Sequence, residues 1–171
     1  MQKEKEVIDR LNVLLASFQI HYQNLRGFHW NIKGIHFFEL HVKFEEWYND
    51  SQIKIDLIAE RILMLAGKPL HTFGDYSSVS LIEVYKDVSD DQISMKGVLS
   101  AVNLLLNQER ALLKLTDELE DEGTNALMSE LVAEQEKLRW MLQSWLNALY
   151  NIGEEPSDFL AAFFIYAIVE V

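Results

Sequence analysis

The sequence predicts an all-α fold built from four long helices that pack through apolar stripes. Apolar residues recur at alternating steps of three and four over four long stretches, the spacing of a helix with one buried face. Helix breakers are few, since the 171 residues include only two prolines and seven glycines. With 49% apolar residues, the chain is long enough for one domain with a sizeable core.

The first two helices are predicted at residues 3–31 and 37–66. The stripe of the first contains seven positions: Val7, Leu11, Leu14, Phe18, His21, Leu25 and Phe28. The stripe of the second also contains seven: Leu40, Phe44, Trp47, Ile55, Ile58, Ile62 and Leu65. Gly67 followed by Pro69 is a common way to end a helix.

A long connection is predicted between the second and third main helices. Residues 69–78 have the composition of a loop. Residues 81–88 fit a short helix capped by Ser78 or Ser80. The connection is therefore expected to be a crossover that carries one short helix.

The third and fourth long helices follow this crossover. Residues 89–91, Ser-Asp-Asp, supply a cap and first-turn acids for the third helix, which we expect to end at Gly123. Thr124 is expected to cap the fourth helix, over residues 125–150. Four long helices with one long crossover between the second and third are the connectivity of a ferritin-like four-helix bundle.

We assign residues 1–153 to this bundle and residues 154–171 to an apolar C-terminal extension. The extension is predicted to form a further helix capped by Ser157, and its apolar run, Phe159–Val169, leaves it no polar face. We expect burial against the bundle or at a subunit interface, with membrane contact and disorder as the alternatives. The run is shorter than the roughly 18 residues that span a bilayer.

Charge and cysteine content limit the classes of function. Twenty-seven acidic and fifteen basic residues give a net charge of −12, which repels nucleic acid and attracts cations. The chain has no cysteine, which excludes disulfides and thiolate metal sites and fits a reducing cytoplasm. The first residues do not have the pattern of a signal peptide, so we expect a cytoplasmic protein without a membrane span.

Two pairs of metal-capable residues lie on the second predicted helix. His41 and Glu45 are four residues apart, as are Asp56 and Glu60, so each pair shares one helix face. The midpoints of the pairs are separated by about 22 Å at 1.5 Å rise per residue, too far for one metal centre. The pairs could meet only if a second copy of the helix lay alongside, antiparallel, about a two-fold axis.

Imidazole and carboxylate ligands together suit iron, zinc or manganese. Each pair alone is also compatible with a solvated ion-pair surface, for which Lys54 and Arg61 are available. No Glu-x-x-His occurs, so the usual di-iron site inside a single bundle is not expected. For the remaining histidines, His21, His36 and His71, we expect the core edge, the surface and a loop.

Several segments together resemble the Dps mini-ferritins, the DNA-protection-during-starvation family. They are HWNIKG at residues 29–34, FFELH at 37–41, Phe44-Glu45, and DLIAERI at 56–62. The resemblance extends over about residues 5–150. It implies a hollow iron-storing shell of twelve subunits, with a ferroxidase centre at each dimer interface.

By matching position, the resemblance implies that one subunit contributes His29, His41 and Glu45 to this centre. The partner would contribute Asp56 and Glu60. Glu45 stands where family members have either Asp or Glu, so its longer side chain is expected to shift the metal spacing without abolishing the site.

The resemblance suggests roles for further residues near the centre. Trp30 corresponds to a family tryptophan that traps oxidising equivalents, with a core aromatic as the alternative. Glu46 and Asp50 are candidate mineral-nucleating carboxylates. The family's acidic iron-entry pore has three candidates here: Asp121, Glu130 and Glu134. For all five carboxylates the alternative is a solvated surface.

The implied reaction is oxidation of Fe(II) to Fe(III) by hydrogen peroxide or dioxygen, followed by mineral deposition. Some family members bind DNA through a lysine-rich tail, whereas the first ten residues here carry three basic and three acidic side chains. We therefore predict no stable DNA complex. The rival hypotheses are a DNA-compacting, nucleoid-associated protein of the same fold, and a helical assembly protein with a degenerate metal site.

Overall fold

The computed structural model describes the backbone of residues 2–150 and the side chains of residues 4–147. Its elements are five helices: α1 (Gln2–Asn31), α2 (Phe37–Met64), α3 (Phe73–Val79), α4 (Asp91–Asp117) and α5 (Glu122–Tyr150). The all-α bundle with a short helix in its crossover is thereby confirmed. The expected C-terminal helix, with Ser157 and the run Phe159–Val169, lies outside the described residues.

The core lies between the four long helices, with α1 packed against α2 and α4, and α4 packed against α5. All seven stripe positions predicted for α1 are buried. In α2, the stripe residues Leu40, Phe44, Ile58 and Ile62 are fully buried. Among the helices within residues 2–150, none is long and apolar enough to cross a membrane.

The short crossover helix lies earlier in the chain than predicted. Residues 69–78 were expected to form a loop, yet Thr72 caps α3 by accepting a hydrogen bond from the backbone N–H of Asp75 (3.2 Å). The prediction of a helix at residues 81–88 is wrong. That segment lies along α1, where the Asn24 side chain bonds the carbonyl of Glu83 (2.7 Å) and the N–H of Tyr85 (3.0 Å).

The junction between α4 and α5 also differs from the prediction. Helix α4 ends at Asp117, and Glu120, at φ 56°, follows it before α5 begins at Glu122. Asp121, rather than Thr124, is the cap, because its carboxylate accepts hydrogen bonds from the Thr124 N–H (3.1 Å) and hydroxyl (2.5 Å). Gly123 lies inside α5, where a Cβ would come within 2.7 Å of the Arg61 guanidinium.

Candidate metal centre

The turn between α1 and α2 brings His29 and His41 together. Gly34, at φ 104°, lies in this turn, and the N–H of Lys33 bonds the carbonyl of Ser89 at 3.0 Å. The turn is therefore tied to the segment that precedes α4. The two imidazole rings stack with centroids 3.8 Å apart and planes 18° apart.

Each histidine is held by the backbone of the other. The Nδ1 atom of His29 lies 2.7 Å from the His41 carbonyl oxygen, and the Nδ1 atom of His41 lies 2.9 Å from the His29 carbonyl oxygen. A carbonyl oxygen only accepts hydrogen bonds, so each Nδ1 must carry the hydrogen. In the neutral imidazole the lone pair then resides on Nε2, which is the arrangement a metal-binding histidine requires.

Glu45 lies one turn beyond His41 on the same helix and is exposed on the single chain. Its Oε1 atom accepts a hydrogen bond from the Tyr48 hydroxyl at 3.3 Å. Partial desolvation, together with the negative charge of Glu45, raises the pKa of Tyr48 above its usual value, so the phenol remains a donor. The Tyr48 ring also lies edge-on to His29, 5.5 Å between centroids.

Asp56 and Glu60 lie further along α2 and are also exposed. Among the described residues, none forms a hydrogen bond or ion pair with either carboxylate. Lys54 and Arg61, the partners considered from the sequence, bind other carboxylates instead. Because α2 is continuous over Phe37–Met64, the two ligand pairs are about 22 Å apart along one chain.

A stripe of exposed apolar side chains runs along the same face of α2 as these carboxylates. Positions 38, 42, 45, 49, 53, 56, 60 and 63 are separated by three or four residues, so they lie on one helix face. Four of these positions carry exposed apolar residues: Phe38, Val42, Ile53 and Leu63. We name positions 38–63 of this series the α2 stripe. It resembles the surface of a helix that packs against another helix.

Four of the five other candidate carboxylates have ion-pair partners within the chain. Asp50 and Glu134, predicted for nucleation and for the pore, both bind the Lys54 ammonium, at 2.5 and 2.7 Å. Glu46 pairs with Lys43 at 2.5 Å. Glu130 is exposed, with no ion-pair partner among the described residues.

Asp121, also predicted for the pore, has a structural role in the single chain. It binds Arg61 at 2.6 Å in addition to capping α5. Partial burial opposes its ionisation, but the hydrogen bonds from Thr124 and the charge of Arg61 lower its pKa. Its carboxylate is therefore ionised and hydrogen-bonded at neutral pH.

Trp30 is not a core residue of its own bundle, since 58% of it is exposed. The Arg26 guanidinium lies over its ring at 4.7 Å and over the Tyr22 ring at 5.3 Å. These are cation–π contacts. Trp30 therefore lies at the surface beside His29, where the core-aromatic alternative does not apply.

A buried polar group in the bundle was missed by the sequence reasoning. Glu109 is 0% exposed, and neither of its carboxyl oxygens has a hydrogen-bond partner among the described residues. Burial raises its pKa to about 8, against the opposing charge of Lys54. His21, which was expected at the core edge, is buried. Burial, and to a smaller extent the charge of Lys54, lowers its pKa to about 4. Position 109 continues the three- and four-residue spacing of the apolar side chains on α4, and this spacing was the sequence feature that could have predicted the burial of Glu109.

The chain matches a known class of protein domain over most of its length. The ferritin-like domain family matches residues 8–152 of this chain. That range covers α2 to α5 and nearly all of α1, together with the crossover. The protein is thus a ferritin-like helical bundle, with its histidine pair where α1 meets α2.

Relatives narrow the class to one family. A DNA protection during starvation protein from Porphyromonas gingivalis is 40% identical over 144 residues, which is 84% of this chain and 91% of the relative. DNA protection during starvation protein 2 from Bacillus anthracis is 35% identical over 145 residues, which is 84% of this chain and 98% of the relative. The crystal structure of the Dps protein from Vibrio cholerae, described as a member of a broad superfamily of ferritin-like diiron-carboxylate proteins, is 49% identical with a TM-score of 0.83. The match covers 85% of this chain and 91% of that one. The chain belongs to the Dps family.

Proposed function

We propose that this protein is a ferroxidase and iron store. It binds Fe(II) between pairs of chains, oxidises it to Fe(III) with hydrogen peroxide or dioxygen, and deposits the product inside a shell of twelve subunits. The observation that carries the proposal is the reciprocal bonding of His29 and His41, which directs the lone pair of each ring to Nε2. The result for the cell is protection against peroxide.

The donor set suits iron as the substrate. Two neutral imidazoles are borderline ligands, and the carboxylates of Glu45, Asp56 and Glu60 are hard oxygen donors that favour the more highly charged Fe(III). Asp56 and Glu60 have no competing cation among the described residues, so they are available to a ligand from outside the chain. The Vibrio cholerae relative is described as a diiron-carboxylate protein, which supports this choice of metal.

The α2 stripe supports assembly of the site from two chains. An antiparallel pair of α2 helices in which position 41 faces 60 and 45 faces 56 has its two-fold axis near residues 50 and 51. The same symmetry sets Phe38 opposite Leu63 of the second copy. Burying large apolar side chains of this kind contributes about 1.5–3 kcal/mol each. One isologous interface would thus join the ligands and bury the exposed stripe.

The proposed chemistry consumes peroxide without releasing hydroxyl radicals. Two Fe(II) ions supply the two electrons that one hydrogen peroxide needs, and with two protons the products are two Fe(III) ions and two water molecules. Glu45, Asp56 and Glu60 would stabilise the added positive charge. The two histidines would hold their positions throughout, because the backbone carbonyls fix both rings.

A mixed-chain experiment tests the reaction and the shared site together. His41→Ala and Asp56→Ala shells, prepared separately, should each lose Fe(II) oxidation, because every site then lacks one ligand. When the two variants are co-assembled from equal amounts, random pairing makes half of the dimers mixed. Each mixed dimer then contains one intact site of its two. We expect about one quarter of the parent rate, measured by absorbance of Fe(III) after peroxide addition.

Glu83→Ala, an exposed carboxylate in the crossover, is the matched control and should oxidise at the parent rate. Undiminished oxidation in either single variant would refute the assignment of these residues as the ligands at which Fe(II) is oxidised. If both single variants are inactive and the mixed shell is equally inactive, the ligands do not come from two chains.

A further inference from the structure

Tyr48 contacts two of the proposed iron ligands at once. Its hydroxyl donates to Glu45 at 3.3 Å, and its ring lies edge-on to His29, with 5.5 Å between centroids and 84° between planes. A second edge-on contact, to Tyr22, holds the ring from another side at 6.1 Å and 88°. Both ring contacts are to residues of α1, so packing against α1 holds the phenol of Tyr48, which itself lies on α2.

Glu45 needs such a fixed point. A glutamate side chain has three rotatable bonds, and ordering one that is exposed costs free energy that metal binding must otherwise supply. Among the described residues, the Tyr48 hydroxyl is the hydrogen-bond partner of the Glu45 carboxylate. Asp56 and Glu60 have no comparable contact, so Glu45 is the carboxylate of the site that is already oriented.

We infer that Tyr48 is a positioning residue that sets the metal-binding geometry of Glu45 through its hydroxyl and supports the His29 ring through its own ring. The inference rests on the proposed function of the site. With Oε1 held by Tyr48, the other carboxylate oxygen is left for the metal. Preorganisation of this kind lowers the cost of binding rather than adding a ligand.

Substitutions separate the two contacts. Tyr48→Phe keeps the ring against His29 and removes only the hydroxyl, whereas Tyr48→Leu removes both. Tyr22→Phe is the matched control, because it removes a phenol hydroxyl from the same aromatic cluster without touching a proposed ligand. Far-UV circular dichroism and shell size should be unchanged in both phenylalanine variants.

Cobalt(II) provides a readout that does not depend on iron oxidation. We expect Tyr48→Phe to bind Co(II) about tenfold more weakly than the parent, the effect of losing a hydrogen bond to a charged group, and to shift the visible Co(II) absorption band. Tyr22→Phe should bind as the parent does. Tyr48→Leu should bind more weakly than Tyr48→Phe, because the His29 ring also loses its support.

A double-mutant cycle tests whether the hydroxyl acts through Glu45. In a Glu45→Asp background the shorter carboxylate withdraws from the phenol, so adding Tyr48→Phe should change Co(II) affinity less than about twofold. An undiminished effect in that background would overturn the inference. Parent-like Co(II) affinity and spectrum in Tyr48→Phe would also overturn the inference. If His41→Ala/Asp56→Ala still abolishes Co(II) binding in that case, the proposed function stands. Parent-like Co(II) binding in His41→Ala/Asp56→Ala would remove the proposed function, and this inference with it.

Discussion

Replacing Glu109 with glutamine should stabilise the protein increasingly as the pH rises from 5 to 8. Glu109 is fully buried on α4, and its carboxyl oxygens have no hydrogen-bond donor among the described residues. Burial raises its pKa from 4.5 to about 8. The folded protein therefore retains a proton on Glu109 through neutral pH, whereas the unfolded chain releases it above about pH 4.5.

The size of the effect follows from proton linkage. Between pH 4.5 and 8 the folded state binds one proton more than the unfolded state at this residue, so the free energy of unfolding falls as the pH rises. At 1.36 kcal/mol per pH unit, the loss reaches about 3 kcal/mol by pH 7. Glutamine has nearly the same shape and does not titrate, so the variant avoids this loss. At pH 4.5 and below, the two proteins should differ little.

His21 gives an opposite trend that cancels in this comparison. Its pKa is lowered from 6.5 to about 4, so the unfolded chain binds the extra proton between these values and stability rises with pH there. Both proteins retain His21, so only Glu109 contributes to their difference.

Chemical denaturation, followed by far-UV circular dichroism at equal subunit concentration from pH 5 to 8, measures this difference. Glu130→Gln, an exposed carboxylate on α5, is the control and should show a constant, small difference from the parent. A difference between parent and Glu109→Gln that does not change over this pH range would show that Glu109 is not held protonated in the folded protein.

Two further predictions concern single positions, and a third concerns the net charge. Ala66, two residues beyond the end of α2, has a φ of 58°, so Ala66→Gly should raise the free energy of unfolding by about 1 kcal/mol, as measured by denaturant titration, and a loss of stability would contradict this expectation. Asp121→Ala removes the α5 cap and the partner of Arg61, and it should lower the free energy of unfolding by about 2 kcal/mol in the same titration; an unchanged midpoint would show that neither contact matters. With a net charge of −12, the parent should leave plasmid DNA unshifted in a gel at moderate salt, and retention of the DNA would support the DNA-compacting rival.

The sequence predicted best what depends on one helix at a time. The buried stripe of α1 and the two pairs on α2 follow from helical spacing, which the structure retains over the full length of both helices. The crossover was misplaced because Ser78 and Thr72 are similar caps in sequence, and contacts of the following segment with α1, such as those of Asn24 with residues 83 and 85, favour one of them. The choice between the two caps therefore depends on contacts between distant residues, which a local sequence pattern does not report.

The same distinction applies to the site. Spacing alone identified His41, Glu45, Asp56 and Glu60 as pairs, and their role as ligands stays a prediction. The reciprocal bonds between the two histidines depend on how α1 meets α2, which spacing does not report. The pairing of Glu134 with Lys54 likewise depends on the packing of α2 against α5, whereas Asp50 and Lys54 are four residues apart on α2 itself.

The reciprocal bonds have a consequence for local stability. Since each ring is anchored on the opposite helix, separating the end of α1 from the start of α2 frees both histidines in the same event. Opening of this end should therefore be cooperative, and amides near His29 and His41 should exchange hydrogen together. A metal that binds only the closed form would slow that exchange in proportion to its occupancy, so hydrogen exchange becomes a measure of metal binding.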